Sequence, residues 1–324
     1  MTDNSPIQLV IHGGAGAIKH TKLTAEREHA YRNALTQSLI AGHAVLAKGG
    51  SSMDAVIAAI VVMEDSPLFN AGKGAVFNHA GRNELEASIM DGAMRMAGAV
   101  AGVTTIRNPI RAAHAVMTKS THVMLIGQGA ETFAAEQGLE IVDPSYFYTQ
   151  HRWDQLQKAI ARASVLRDHD ADPGTQLPDM DKKHGTVGAV ALDRYGNIAA
   201  GTSTGGLTNK RYGRVGDSSV IGAGTYADNR SIAVSATGTG EMFIRTAAAF
   251  NTAAQVRLQG IPIAEAADNT LAEIAAMGGD GGLIVLDMRG NYAMRFNTSG
   301  MYRGTIGNNG IVWTGVFPET GTPI

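Results

Sequence analysis

The stretch Lys182–Asp193, KKHGTVGAVALD, contains the transition around which this chain is organised. A polar, proline-bearing segment ends at Gly185, and an apolar run typical of a β-strand begins at Thr186. Threonine is β-branched and favours strands, which is enough to explain one threonine at this boundary. The alternative is that its hydroxyl has a chemical role, and the rest of the sequence must decide between the two.

Composition restricts the class of protein. The chain has 324 residues, of which 44% are hydrophobic and 17% charged, as in ordinary globular proteins of one large or two smaller domains. With 27 basic and 29 acidic residues and no basic block, nucleic acid is not an expected partner. The absence of cysteine excludes disulfides, thiolate metal sites and cysteine nucleophiles. We find no signal-peptide pattern and no apolar stretch near the about 18 residues of a membrane span, so we expect a cytoplasmic protein without membrane contact.

The first half of the sequence predicts helices between short strands. Thr24 and Ser51 precede helical segments as N-cap residues do, and the second of these helices must end before Pro67. The remaining expectations are a buried strand Gln8–Ile11 with a glycine-rich turn at 12–16, a half-exposed strand Glu84–Met90, a helix after Asn108–Pro109, a strand His122–Ile126 and a helix Tyr148–Leu166.

The second half predicts hairpins. Two pairs of apolar runs are each joined by a turn: Thr186–Leu192 with Ile198–Ser203, and Gly282–Leu286 with Tyr292–Phe296. Another strand, Ile232–Ala236, leads through a glycine-rich turn into a long helix from Glu241. Between the halves, residues 167–184 have no apolar periodicity and indicate an exposed linker. Helices and hairpins together predict an α+β fold.

A serine nucleophile is the first catalytic hypothesis. Residues 201–205 read Gly-Thr-Ser-Thr-Gly, which matches the G-x-S-x-G turn of α/β-hydrolases around Ser203. That fold requires its catalytic histidine after the serine. All 10 histidines of this chain lie at or before His184. Chain order therefore excludes this hypothesis.

Thr186 is the second hypothesis. A threonine hydroxyl becomes a nucleophile when its own α-amine takes the proton, and that amine is free only if the Gly185–Thr186 bond is cut first. An α-amine has a pKa of about 7.7–8, so part of it is basic at neutral pH. An exposed linker ending in a glycine that tolerates strained backbone suits self-cleavage at this bond.

Several motifs in addition to the Thr186 strand are similar to those of one known family. They are His12-Gly13-Gly14-Ala15-Gly16, the segments 67–72, 90–92 and 107–109, Gly185-Thr186-Val187-Gly188, 202–206, 213–218 and 237–241. Each motif is weak alone, but together and in this order they resemble the plant-type (type III) L-asparaginases, or isoaspartyl peptidases, of the N-terminal-nucleophile hydrolase superfamily. The resemblance spans nearly the whole chain.

The resemblance implies a fold, an activity and an assembly. The fold would be a four-layer αββα sandwich formed by a single domain, 1–324, that cleaves itself into 1–185 and 186–324. The activity would be hydrolysis of the side-chain amide of L-asparagine and of β-aspartyl dipeptides. The mature protein would be a dimer of such two-chain units.

The resemblance also implies roles for individual residues. Thr186 would be the nucleophile, released by cleavage after Gly185. The other positions carried over are Thr204 beside the Thr186 amine, Thr237 and the Gly238 amide as oxyanion hole, Arg214 for the substrate carboxylate, Asp217 and the Gly240 carbonyl for its ammonium, and Asn70 and Thr202 as supporting residues. For Thr204 a purely structural cross-strand hydroxyl, for Thr237 and Gly238 a tight turn, and for Arg214 with Asp217 a surface salt bridge are the alternatives. His12 is expected to have no catalytic role.

No cofactor is expected for catalysis, but the resemblance implies a structural sodium ion. Backbone carbonyls would hold it, those of Met63, Glu64, Ser66, Phe69, Ala71 and Lys73. Lys73 places a cation in that loop where an apolar side chain would be more favourable.

Three other functions remain open. A glycosylasparaginase-like amidase of the same superfamily is disfavoured by the lack of cysteines and of a signal peptide. A threonine-aspartase protease would recognise a macromolecule, whereas Arg214 with Asp217 suits a free amino acid. A non-catalytic binding protein on the same fold would show no self-cleavage.

Overall fold

The structure is a computed structural model that describes residues 6–18, 23–168 and 185–318, with backbone alone for 163–168. The predicted mixture of helices and sheets is confirmed. The helices are α1 (Ala25–Ala47), α2 (Ser52–Glu64), α3 (Pro109–Lys119), α4 (Gly127–Glu136), α5 (Gln150–Asp168), α6 (Gly240–Arg245), α7 (Ala248–Ala254) and α8 (Ile263–Ala276). The strands are β1 (Gln8–Gly16), β2 (Leu85–Asp91), β3 (Ala97–Val103), β4 (Met124–Ile126), β5 (Thr186–Leu192), β6 (Ile198–Thr204), β7 (Thr225–Ala227), β8 (Ile232–Gly238), β9 (Gly281–Asp287), β10 (Tyr292–Phe296), β11 (Gly300–Gly307) and β12 (Trp313–Gly315).

The strands form two sheets. One has the order β12-β11-β1-β5-β6-β2-β3-β4, antiparallel except for the β3–β4 pair, and the other has the order β10-β9-β8-β7. Both predicted hairpins are present, as β5–β6 and β9–β10. The strand that begins at Thr186 therefore lies inside the larger sheet, between β1 and β6.

The larger sheet is covered on both faces. Helices α1, α2 and α3 pack on one face, β7, β8 and β9 of the smaller sheet pack on the other, and α7 and α8 cover the far side of the smaller sheet. Strand β5 shows the consequence, because Val187 and Ala189 join the core beneath the helices while Val190 joins the core between the sheets. Burial on both faces explains why β5 reads as a continuous apolar run.

The helix caps follow the sequence. The Thr24 hydroxyl accepts a hydrogen bond from the Arg27 amide, and the Ser51 hydroxyl accepts one from the Asp54 amide, as N-cap residues do. Asn108 precedes α3 without a side-chain cap bond. Instead, the Glu64 carboxyl accepts the hydrogen bond of the Ile110 amide at the start of this helix.

Four expectations for the elements were wrong. Residues 12–16 continue β1 through an irregularity between His12 and Ala15 instead of forming a turn. The strand expected to be half-exposed, β2, is buried on both faces because the second sheet covers it. The long helix expected from Glu241 is interrupted at Ala247, which has a left-handed backbone with φ of 46°, so α6 spans six residues.

The fourth difference concerns the predicted linker. Its first two residues, Arg167 and Asp168, belong to α5, which therefore extends past the expected end at Leu166. The rest of the predicted linker, 169–184, lies outside the described residues. None of the helices in the described ranges combines the length and the hydropathy needed to cross a membrane.

Candidate active site

Thr186 and Thr204 face each other at one end of the β5–β6 hairpin. They are paired in the strand register, and the Thr186 hydroxyl donates to the Thr204 hydroxyl over 3.2 Å. The Thr204 hydroxyl donates in turn to the Gly185 carbonyl, 3.3 Å away, and accepts from the Gly206 amide at 3.0 Å. Two consecutive hydroxyl hydrogen bonds thus end at the Gly185 carbonyl, which belongs to the peptide bond predicted to be cleaved.

Asn70 holds the backbone around this bond. Its amide group donates to the Gly206 carbonyl at 2.7 Å, and its own carbonyl accepts from the Gly205 amide at 2.9 Å. A side chain at Gly185 would lie 2.6 Å from the Asn70 Cβ. Gly185 is therefore required by close packing, and its backbone is not among those with positive φ.

His12, for which the sequence predicted no catalytic role, contacts Thr186 through its side chain. Its Nδ1 lies 3.2 Å from the Thr186 carbonyl oxygen and its Nε2 lies 3.0 Å from the Ser235 hydroxyl. The side chain is fully buried, and burial lowers the pKa of His12 to about 3, so the ring is neutral. Because a carbonyl oxygen only accepts, the ring proton lies on Nδ1 and the Ser235 hydroxyl donates to Nε2.

The contact with Ser235 continues as a chain of buried hydroxyls between the two sheets. Ser235 Oγ lies 2.7 Å from Thr202 Oγ1, and Thr225 Oγ1 lies 2.6 Å from Thr202 Oγ1. Ser88 Oγ is 2.8 Å from Thr225 Oγ1 and 2.6 Å from the Ser218 carbonyl. We refer to His12, Ser235, Thr202, Thr225 and Ser88 as the hydroxyl chain. It connects the Thr186 carbonyl to the loop that carries Asp217.

That loop is also fixed to the larger sheet by Glu86. In the register of β2 and β6, Glu86 pairs with Thr204. Its carboxylate accepts from the Gly216 amide at 2.9 and 3.1 Å and from the Ser219 hydroxyl at 3.1 Å, and the Lys210 ammonium lies 3.9 Å away. These bonds place residues 214–217 beside the strand pair that carries the two threonines.

Arg214, Asp217 and Gly240 lie close together, and we refer to them as the charged corner. A Cβ on Gly240 would lie 2.7 Å from Arg214 Nη2 and 2.9 Å from Asp217 Oδ1. Arg214 makes its ion pair with Glu241, through Nε–Oε1 at 2.9 Å and Nη2–Oε2 at 3.0 Å. The expected alternative, a simple salt bridge from Arg214 to Asp217, is therefore wrong, and Glu241 is a further residue that the sequence analysis missed.

Asp217 is buried with part of its hydrogen-bonding capacity unused. Only 5% of the residue is exposed, and its Oδ2 accepts no hydrogen bond from any described residue. Burial raises the pKa of Asp217 to about 7. A cationic group that reached this oxygen would satisfy it and favour the ionised form.

Thr237 and Gly238 end strand β8 next to this corner. The Thr237 hydroxyl is buried and accepts from the Ala15 amide at 3.3 Å. A Cβ on Gly238 would lie 2.4 Å from the Asp280 carbonyl oxygen and 2.5 Å from the Phe243 ring. The backbone at Gly238, two residues before Gly240, therefore leaves no room for a side chain.

In the loop 63–73 the backbone packs closely on itself. A Cβ on Gly72 would lie 2.3 Å from the Glu64 carbonyl oxygen, and a Cβ on Gly74 would lie 2.0 Å from that of Phe69. The Lys73 ammonium turns out of this loop and lies 4.7 Å from the centre of the Tyr146 ring. Backbone carbonyl oxygens are the donors that a hard cation prefers, so the donor chemistry of this loop suits a sodium ion. Across the described ranges, no cluster of three His, Asp or Glu side chains forms a metal site.

The side chain of Glu64 has a separate role in this loop. Its Oε1 accepts from the Ser203 hydroxyl at 2.7 Å and from the Ile110 amide at 3.0 Å. Burial raises the pKa of Glu64 to about 8. Ser203 thus points away from Thr186, toward the helices, in agreement with its exclusion as nucleophile.

The chain is similar to known proteins along almost its whole length. A family model described as "Asparaginase" matches residues 5–316. An isoaspartyl peptidase of Escherichia coli is 48% identical over 317 residues, 98% of each chain, and one of Salmonella typhimurium is 48% identical over 312 residues, 96% of this chain and 98% of that one. A human protein named isoaspartyl peptidase/L-asparaginase is 42% identical over 298 residues, 92% of each chain.

Proposed function

The chain belongs to the asparaginase family, and we propose that it is an isoaspartyl peptidase/L-asparaginase that activates itself by cleavage before Thr186. The observation that carries the proposal is the line of hydroxyls from Thr186 through Thr204 to the Gly185 carbonyl. The substrates are L-asparagine and β-aspartyl dipeptides, by analogy with the names of its relatives. The fold is then the four-layer αββα sandwich of N-terminal-nucleophile hydrolases.

Self-cleavage uses the same hydroxyl as turnover. Thr186 Oγ1 attacks the carbonyl carbon of Gly185, the Gly185–Thr186 C–N bond breaks, and the hydroxyl proton passes to the departing Thr186 nitrogen. The resulting ester is opened by water, which leaves a carboxylate on Gly185 and a free α-amine on Thr186. Thr204 donates to the carbonyl oxygen on which negative charge develops.

Turnover then begins at the free amine. It accepts the proton of its own hydroxyl, and Oγ1 attacks the side-chain carbonyl carbon of the substrate. The oxyanion is held by the Thr237 hydroxyl and the Gly238 amide, and the leaving nitrogen departs with the proton as ammonia or as an amino acid. Water hydrolyses the aspartyl ester on Thr186 and releases aspartate.

The charged corner selects the substrate. The forked guanidinium of Arg214 suits the α-carboxylate. Asp217, with its unused oxygen, and the carbonyl of Gly240 suit the α-ammonium. Both charged ends of the substrate are thereby fixed, so only a side-chain amide reaches Thr186.

Three structural features accompany the proposal. Asn70 and Thr202 support the positions of Thr186 and Thr204. A sodium ion bound by the carbonyls of the 63–73 loop would hold that loop rigid next to Asn70. Two αβ units would associate into a dimer, and the exposed apolar side chains Met124 and Ile126 of the edge strand β4 offer surface for an association.

The nucleophile is tested by removing its hydroxyl. We expect the purified protein to separate into two bands on a denaturing gel, with the smaller fragment beginning TVGAVALD. Thr186→Ala should remain one band and hydrolyse neither L-asparagine nor a β-aspartyl dipeptide, because one hydroxyl performs both reactions. Circular dichroism should show that the variant is folded.

Ser203→Ala is the matched control, since it removes the hydroxyl of the excluded nucleophile one residue before Thr204. It should still be cleaved and active. Turnover by uncleaved Thr186→Ala, or a fragment with another first residue, would contradict the assignment. A single band in the unaltered protein would favour a binding protein on this fold.

A further inference from the structure

A cavity borders the proposed cleavage site, and Arg214, Asp217 and Gly240 are not among its lining residues. Gly185, Asn70 and Gly13 contribute to its lining. Asn70 is bonded to the segment after Thr204, and Gly13 follows His12, which contacts the Thr186 carbonyl. The cavity therefore begins at the reacting bond.

One wall of this cavity is aromatic and rigid. The rings of Tyr31 and Tyr302 are stacked with centres 4.1 Å apart, and Phe69 meets Tyr31 edge-on at 5.6 Å. The Tyr31 hydroxyl donates to the Leu68 carbonyl at 3.1 Å, which fixes the orientation of the stack. Such a wall suits an apolar side chain.

The same cavity is lined by two guanidinium groups. Arg152 is only 9% exposed; its Nε donates to the Gly74 carbonyl at 2.8 Å and its Nη1 to Gln155 at 3.0 Å. Its Nη2 makes no hydrogen bond or ion pair with any residue in the described part of the chain. Arg27 lines the cavity from α1, exposed and without an ion pair to any described residue.

A buried cation without a counter-charge is unfavourable. Burial lowers the pKa of Arg152, and the nearby charge of Arg27 lowers it further. Proteins pair buried charges, so a guanidinium in this position calls for an anion. A carboxylate would accept from Arg152 Nη2 and restore the balance.

We propose that this cavity is the subsite for the leaving amino acid of a β-aspartyl dipeptide. Its carboxylate would pair with Arg152 and Arg27, and its side chain would lie against Tyr31, Tyr302 and Phe69. The inference rests on the proposed function. It extends that function because L-asparagine, whose leaving group is ammonia, has no atoms to fill this cavity.

The chemistry of the leaving group agrees with this placement. The amide nitrogen that departs is bonded to the carbon attacked by Thr186, and the carboxylate carbon of the leaving amino acid is two bonds from that nitrogen. The aspartyl half is held by Arg214 in the charged corner. Gly185 lines this cavity, so the bond that is cut in self-cleavage lies at its border.

The test compares substrates that differ only in the leaving group. β-Aspartyl-leucine, its C-terminal amide and L-asparagine are assayed with the fully cleaved protein. We expect kcat/KM of the free acid to exceed that of the amide at least about fivefold. In Arg27→Ala the preference for the free acid over the amide should fall about threefold, and in Arg152→Gln it should be lost, while kcat/KM for L-asparagine stays nearly unchanged.

Arg32→Ala is the matched control. It removes the same charge from the same helix, at a residue paired with Glu28 and outside the cavity lining. It should leave the preference for the free acid intact. Equal rates for acid and amide in the unaltered protein, or equal losses on all three substrates in the variants, would overturn the subsite.

The outcomes separate this inference from the proposed function. A protein that hydrolyses none of the three substrates contradicts the proposed function itself. A protein that hydrolyses them without regard to the leaving carboxylate contradicts only the subsite. If Arg152→Gln does not fold, Arg27→Ala and the acid–amide comparison in the unaltered protein still decide.

Discussion

The hydroxyl chain and the charged corner of Arg214, Asp217 and Gly240 both adjoin the same loop. They differ in whether their buried polar atoms are hydrogen-bonded within the protein. In the hydroxyl chain every member is neutral and bonded to its neighbours, from the Thr186 carbonyl to the Ser218 carbonyl. In the corner, Asp217 next to Ser218 is buried with one oxygen unbonded in the described structure. Groups that hold geometry are satisfied within the protein, whereas a group that binds a ligand is left for the ligand to satisfy.

This contrast predicts opposite responses to substitution, the largest at Asp217. Asp217→Asn keeps the shape but cannot neutralise a substrate ammonium. Losing a buried charge-assisted interaction of about 3 kcal/mol corresponds to a fall in kcat/KM of about 100-fold or more. The same change should stabilise the free protein at neutral pH, because it removes a buried carboxyl that must ionise.

The pH dependence of the free energy of unfolding tests this expected stabilisation. Burial raises the pKa of Asp217 from 3.8 to about 7. The stability of the unaltered protein should therefore fall relative to Asp217→Asn as the pH rises from about 4 to 7, by up to a few kcal/mol, and the two should be alike below pH 4. Urea unfolding at pH 4 and pH 8 measures this. A variant that loses both activity and stability at pH 8 would place Asp217 among the structural residues.

Arg214 belongs to the same corner and gives the next largest effect. Arg214→Lys keeps the charge but loses the fork that bonds a carboxylate in two places. We expect kcat/KM to fall at least about tenfold, which corresponds to about 1.4 kcal/mol, while self-cleavage is nearly unchanged because the precursor presents no free carboxylate there. Glu241→Gln separates the two roles of Arg214, because it removes the ion-pair partner and leaves the guanidinium in place. Unchanged turnover in Arg214→Lys would exclude Arg214 as the carboxylate anchor.

The sequence predicted the parts of this comparison that depend on local pattern. The β5–β6 hairpin fixes the pairing of Thr186 with Thr204 through its turn at Asp193. The N-caps at Thr24 and Ser51 are likewise local features. The expected proximity of Arg214 and Asp217 also follows from their spacing in one glycine-flanked loop.

The remaining features depend on contacts between distant segments. Burial of β2 on both faces comes from strands more than a hundred residues later, so its serine and glutamate read as an exposed face. Glu241 reaches Arg214 from 27 positions away, at the start of a helix that ends early without a glycine or proline signal. His12 and Ser235 are 223 positions apart, and only the packing of one sheet on the other brings them together.

A substitution in the hydroxyl chain should have the smallest effect on catalysis. It tests whether this chain is structural, in contrast to the charged corner. Ser235 contacts the His12 ring at 3.0 Å, Thr202 at 2.7 Å and the Gly201 carbonyl at 3.1 Å. Ser235→Ala removes these bonds and leaves buried partners unsatisfied, which should lower the free energy of unfolding by about 1–2 kcal/mol. Because the chain is neutral and does not face the substrate, kcat/KM should change less than about threefold.

Ser231→Ala is the control for this last substitution. Among the described residues its half-buried hydroxyl bonds only to the Ala253 carbonyl, so the substitution should cost less stability and no activity. Urea unfolding and steady-state rates on the cleaved proteins measure both quantities. A large loss of turnover in Ser235→Ala with unchanged stability would mean that His12 orients Thr186 for attack through this chain, and that satisfied neutral groups take part in catalysis as directly as the charged corner does.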